Sequence, residues 1–189
     1  KYQPGTCATC HGGRAAQPDS NGNYPNSGNI GAHFLPFDVS SFYFSDADFE
    51  QRLHKTPPST AQSEAFRRFN EMVLLTNPTA AVRELIHGWY SSNDLTSNML
   101  PTGATFNANF VPAGWRPGTS GGNPVAGKAE DASTLYRQVV GPFCRACHTQ
   151  QSGASFATYD DFMNAKNRIT DLVFDRGVMP LARHTMDDF

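Results

Sequence analysis

The middle of the chain carries apolar residues at the spacing of an α-helix. In the first such stretch, 60–75, the apolar positions lie three or four residues apart: Phe66, Phe69 and Val73. A break at Asn77-Pro78 follows, and Thr79 is suited to cap a second helix. The apolar face of that helix consists of Val82, Leu85, Ile86 and Trp89. Together the two patterns predict an αα-hairpin.

Three further helices are predicted outside the hairpin. Ser45 is suited to cap a short helix that runs through His54. Helical spacing returns over 129–141, and again over 155–173. The apolar positions of the last helix are Phe156, Tyr159, Phe162, Met163 and Ile169.

Between these helices, 12–31 and 91–128 show no period and are rich in Gly, Asn, Ser and Pro. The second stretch is long for a connection without structure, so we expect it to wrap over a bound group or to join two lobes, with Phe110 and Trp115 as anchors. Its most linker-like part, 119–128, predicts a boundary between an N-terminal lobe, 1–118, and a C-terminal lobe, 129–189. The predicted fold is mainly α with long irregular loops.

Composition narrows the class of protein. Of the 189 residues, 39% are apolar and 17% are charged, and the formal net charge is -2. No basic cluster indicates a nucleic-acid partner, and no apolar run approaches the length of a membrane span. A net charge this close to zero permits self-association.

All four cysteines lie in two copies of one pattern, Cys7-Ala-Thr-Cys10-His11 and Cys144-Arg-Ala-Cys147-His148. C-x-x-C-H is the attachment signature of a c-type haem. Its two thiols add to the porphyrin vinyl groups, and the adjacent imidazole binds the iron from below. The sequence therefore predicts two covalently bound haems. Their cysteine anchors are Cys7 and Cys10, and Cys144 and Cys147, and their proximal ligands are His11 and His148.

Three other chemistries also use paired cysteines: a disulfide, a zinc site and a redox-active C-x-x-C. Each would have to explain why a histidine directly follows the second cysteine in both copies. A zinc site would also have to combine two distant C-x-x-C units.

With these motifs the chain resembles the c-type cytochromes, specifically a small dihaem type. Its last third is also similar to the Met-ligated cytochrome c domains, through Leu135-Tyr136 before Cys144 and Gly177-Val178-Met179-Pro180 after it. The resemblance implies a haem-wrapped, cytochrome c-like C-terminal lobe. The chain departs from that family in one respect: only nine residues follow Pro180, where the family usually has a C-terminal helix.

The resemblance also implies a sixth ligand for the second haem. In that family a Met-Pro pair supplies it, which corresponds to Met179 here. A packed core methionine is the other interpretation of this residue, and His184 is the rival ligand on the same tail.

For the first haem we expect His33 as the sixth ligand, because it lies beside an aromatic cluster that could form the haem pocket: Phe34, Phe37, Phe42, Tyr43 and Phe44. The alternatives are His54, His87, Met99 and a residue donated by a neighbouring molecule.

These ligands imply electron transfer. A six-coordinate iron leaves no position for peroxide or oxygen, and methionine ligation gives a higher potential than a second histidine. We therefore expect an electron carrier that exchanges electrons with redox partner proteins in respiration. A sharper version of this hypothesis is a subunit of a polymeric extracellular cytochrome filament.

Two other functions compete with this one. A dihaem peroxidase-like enzyme would need one haem with an open or displaceable ligand. A redox module docked on a larger enzyme would differ from a free carrier only in its partner, and no cluster of one charge marks a docking patch.

Covalent haem attachment normally takes place outside the cytoplasmic membrane, and no signal peptide is visible in the sequence. We therefore interpret the chain as the mature form of a periplasmic or extracellular protein.

Overall fold

The computed structural model describes residues 7–8, 10–14, 17–23, 30–42, 60–118, 131–151 and 154–178. Within these ranges the regular elements are all helical and there is no strand, so the prediction of a mainly α fold is confirmed. The helix predicted over 45–54 lies outside the described residues.

The predicted hairpin consists of α1, Thr60–Leu75, and α2, Ala80–Trp89. As expected, Thr79 caps α2, where its hydroxyl oxygen accepts a hydrogen bond from the Val82 N–H at 3.4 Å. Near the turn, Arg83 donates to the Leu74 carbonyl. Further from the turn, the Asn70 amide donates to the Tyr90 hydroxyl. This order of contacts shows that the two helices run antiparallel.

The stretch after α2 is irregular through 118 except for one 3₁₀ turn, Ala113–Trp115. Both expected anchors pack against the core. Trp115 is fully buried, and its Nε1–H donates to the Phe156 carbonyl at 3.0 Å. Phe110 lies against Gly88 of α2, where a Cβ atom would come within 2.1 Å of the Phe110 ring. The missing side chain of Gly88 is therefore what allows Phe110 to dock.

A continuous helical segment leads into the second C-x-x-C-H motif. It begins with α3, Asp131–Leu135, widens into a π-helix, Tyr136–Cys144, and ends with α4, Arg145–His148. The sequence predicted an end at Gly141, which is wrong. Pro142 would clash with the carbonyl four residues earlier in an α-helix, but hydrogen bonds in the wider π turn skip five residues, as from the Arg145 N–H to the Val140 carbonyl.

The last helical segment starts later than predicted. It consists of α5, Tyr159–Asn164, α6, Lys166–Ile169, and a final π-helix, Thr170–Asp175. Its cap is Thr158, whose hydroxyl oxygen accepts from the Asp161 N–H at 3.0 Å, so the predicted start at Ser155 is wrong.

One buried core draws on residues from both sides of the predicted 119–128 linker. Its largest buried aromatic members are Trp89, Tyr90, Trp115, Tyr136, Phe156 and Tyr159. Among the described helices, none combines the length and the apolar character needed to cross a membrane.

Candidate functional site

The two cysteine motifs both lie on helical backbone. In the first motif, the backbone is helical at Cys7, Cys10 and His11. In the second, Cys144 closes the π-helix, and α4 carries Cys147 and His148. A helical turn brings residues three apart onto one face, so each pair of sulfurs can meet the same ligand edge.

None of the four cysteines forms a disulfide. Burial raises the pKa of Cys144 to about 11, and the nearby Cys147 adds to the shift. Burial, together with a hydrogen bond to Cys10, likewise raises the pKa of Cys147 to about 11. Burial therefore disfavours the thiolate form of both side chains.

The histidines of the two motifs share one arrangement. The Nδ1 atom of His11 lies 2.9 Å from the His33 carbonyl oxygen, and Nδ1 of His148 lies 2.8 Å from the Ala154 carbonyl oxygen. A carbonyl can only accept, so Nδ1 carries a proton in both rings, and in the neutral form of each ring the lone pair is on Nε2. Hydrogen bonding of one ring nitrogen to a backbone carbonyl is the usual way in which proteins orient a metal-binding imidazole.

The ring of His148 is held further by packing. It stacks on Phe156 with the ring centroids 4.2 Å apart and the planes 6° apart. Burial lowers the pKa of His148 below its ordinary value, which favours the neutral imidazole. A neutral ring of fixed orientation is the form that can coordinate iron.

Segment 33–38 contacts both motifs. The His33 N–H donates to the His11 carbonyl at 2.9 Å, so His33 and His11 exchange two hydrogen bonds. The next residue, Phe34, accepts a bond of 2.7 Å from the side chain of Gln150, two positions after His148. These bonds bring the two motifs into one region of the molecule.

A buried ion pair fastens the second motif to this segment. Arg145, between Cys144 and Cys147, donates to both carboxylate oxygens of Asp38 at 2.6 and 2.9 Å. The two side chains are only 6% and 4% exposed. The guanidinium also lies 5.0 Å from the centroid of the Trp89 ring. Burial alone would lower the pKa of Arg145, but the hydrogen bonds and the charge of Asp38 outweigh it and raise that pKa.

Sequence reasoning missed Asp38 and Arg145 as parts of the site. An arginine inside a C-x-x-C-H motif at the end of an apolar helix was a signal that it would be buried and need a partner. The identity of that partner was not readable, because Asp38 lies 107 positions earlier.

The other predicted ligand residues lie in different places. His87 is fully buried in α2, and its Nε2 lies 3.1 Å from the Ser97 carbonyl oxygen. Met99 is 67% exposed. The structure brings the backbone of His33 to His11, as described above. Met179, His54 and His184 lie outside the described residues.

Within the described ranges, no group of three or more His, Cys, Asp or Glu side chains could hold a metal ion. A haem iron needs no such group, because the porphyrin supplies four of its ligands and the protein only one or two. Comparison of the chain with protein-family models, with curated proteins and with solved structures finds no match.

Proposed function

We propose that this chain is a dihaem c-type cytochrome that transfers electrons through two covalently bound haems. The observation that carries the proposal is the matched arrangement of His11 and His148. Each directly follows the second of two cysteines that form no disulfide, and each is oriented by a backbone carbonyl at Nδ1. A disulfide or a redox-active dithiol would not need either imidazole to be oriented in this way.

Each residue of the motifs has a role in this proposal. Cys7 and Cys10 hold one porphyrin by thioether bonds, and Cys144 and Cys147 hold the other. His11 and His148 bind the two irons through Nε2. When bound, the haems would supply one-electron redox chemistry over a potential range that the protein sets through ligands, hydrogen bonds and burial. Asp38 fixes the second motif by pairing with Arg145.

Met179 is the proposed sixth ligand of the second haem, on the resemblance to Met-ligated cytochrome c domains. The C-terminal helices would then form the haem-wrapped lobe of that family. The methionine would give the second haem the higher potential, so electrons would tend to rest there.

The proposed setting is the periplasm or the cell exterior, where c-type haems are attached, with other redox proteins as partners. Association of several copies into a filament is the sharper form of the proposal. It predicts oligomers of the native, haem-loaded protein in light scattering, and purely monomeric protein would contradict it.

Haem attachment is tested directly by intact-mass measurement of the full chain produced in a host that attaches c-type haem. We expect a mass increase of two haems that survives acid extraction. The double variant C144A/C147A should retain one haem. The control is A146S, which changes the exposed residue between those cysteines and should retain both. A chain with no covalent haem would overturn the proposed function.

A further inference from the structure

The backbones that follow the two motifs touch each other. Gly12, next to His11, has a φ of +71°, and a Cβ atom there would lie 2.7 Å from the Gln150 carbonyl oxygen. The Gln150 side chain donates a hydrogen bond to the Phe34 carbonyl. The residue before Phe34, His33, is hydrogen-bonded to His11. Only a glycine combines this backbone conformation with so close an approach. The two attachment sites are thus packed directly against each other.

The same packing brings one cysteine of each motif together. The Cys10 side chain is near enough to Cys147 to contribute, after burial, to the raised pKa of that thiol, so the two side chains are neighbours. Each of these residues is the second cysteine of its motif, and each is the sulfur that would anchor one porphyrin edge. Two porphyrins attached at neighbouring sulfurs would have their edges side by side.

We propose that the two haems form one coupled redox pair, with the sulfurs of Cys10 and Cys147 lying between their adjacent edges. This inference rests on the proposed function and goes beyond it, because two haems could equally be attached far apart. The charges of two closely spaced irons interact, so reduction of one haem would make reduction of the other harder. Electrons pass between the haems within one chain without a partner protein.

Electron paramagnetic resonance of the purified, haem-loaded protein tests the pair. We expect the fully oxidised protein to show signals broadened by spin–spin interaction. The half-reduced protein, in which one iron is diamagnetic, should show a simple signal from the other. A fully oxidised spectrum that equals the sum of two independent signals would overturn the pair. Because intact mass reports haem attachment separately, loss of the pair and loss of the proposed function are distinguishable.

Two variants show whether the shared edge lies at Cys10. C10A and C7A each leave the first haem with one thioether. Any loosening of the haem that comes only from losing a thioether should therefore be the same in both variants. We expect C10A to weaken the spin–spin interaction and C7A to preserve it. Equal effects in the two variants would contradict the placement of Cys10 between the haems.

A second inference follows from the two hydrogen bonds between His33 and His11. The two nitrogens of an imidazole are separated by one ring carbon, and they bind their partners in diverging directions. If iron binds Nε2 of His11, the His33 carbonyl at Nδ1 lies behind the proximal ligand, on the side away from the iron. A sixth ligand must approach from the opposite porphyrin face, and a histidine side chain is too short to pass around the porphyrin from there. We infer that His33 positions His11 through its backbone and leaves the sixth position of that iron to another residue or open.

The H33A variant tests this assignment, because it keeps the carbonyl and removes the ring. We expect the low-spin and high-spin fractions of the first haem, and its potential, to match those of the unmodified protein. M179A serves for comparison, since loss of the proposed sixth ligand should change the spin state of the second haem. Conversion of one haem from low-spin to high-spin in H33A would overturn the inference. A first haem that is already high-spin in the unmodified protein would support it, and would favour the peroxidase-like alternative.

Discussion

At the scale of single residues, the buried pair of Asp38 and Arg145 should matter most for stability. D38N removes the charge with little change of shape and leaves the guanidinium of Arg145 uncompensated. Both side chains are almost inaccessible to water, so solvent cannot replace the lost partner. We expect the free energy of unfolding to fall by about 3–5 kcal/mol, measured by denaturant titration.

The chain offers a matched control for this substitution. Asp171 and Arg176 form an ion pair of 3.5 Å on the surface, where the two side chains are 57% and 62% exposed. Water screens such a pair, so D171N should change the free energy of unfolding by less than about 1 kcal/mol. Equal effects of D38N and D171N would contradict a structural role for the buried pair.

At the scale of elements, packing outweighs helix propensity at position 88 of α2, where the residue is Gly88. Alanine is the better helix former by about 1 kcal/mol, so exposed helical positions gain from this change. At Gly88, however, the added Cβ would lie 2.1–2.3 Å from atoms of the Phe110 ring. We therefore expect G88A to destabilise the protein by about 1–3 kcal/mol in thermal or denaturant unfolding, as overpacked sites do.

The same substitution in an F110A background isolates the clash. Without the ring, the new methyl group has room, and only the gain in helix propensity remains. G88A/F110A should therefore be no less stable than F110A alone, which a double-mutant cycle measures directly. A full penalty in both backgrounds would mean that Phe110 is not the obstacle.

The helices also show which structural features could be predicted from the sequence. The hairpin and its Thr79 cap are local features, set by spacing and by one hydroxyl within three residues of its partner. The start of α5 could not be predicted, because Phe156 fits a helical pattern of apolar residues. In the structure its N–H instead donates to the His148 carbonyl, outside any helix. The end of the segment before Cys144 was missed because a π-helix accepts Pro142 where an α-helix would not.

The residues of the candidate site also fall into two groups, those that could be predicted from the sequence and those that could not. The cysteines and the histidines that follow them were visible, because C-x-x-C-H is contiguous in sequence. Their supports were not, because they join distant positions, as the contact between Gln150 and Phe34 does over 116 residues. The pattern of apolar and polar residues carries no information on which distant carbonyl or carboxylate will be nearby.

At the scale of the whole molecule, the core predicts how the chain should respond to a cut in the predicted linker. Buried residues on both sides of 119–128 pack in one cluster. In it the ring centroids of Trp115 and Tyr136 lie 5.3 Å apart, and Trp115 donates a hydrogen bond to the Phe156 carbonyl. The pair of Asp38 and Arg145 joins the same two sides. After cleavage, separation of the fragments would expose this apolar surface and break a buried charge pair, both of which are unfavourable.

We therefore expect the two fragments to stay together after cleavage at a protease site placed within 119–127. They should elute from size-exclusion chromatography at the position of the uncut chain under native conditions, and separately in denaturant. Near-ultraviolet circular dichroism should be unchanged by the cut, because the buried tryptophans keep their surroundings. Separate elution under native conditions would mean that the two sides fold as independent lobes. In that case the contact of Cys10 with Cys147 could not hold two haems as a pair, because those cysteines lie on opposite sides of the cut.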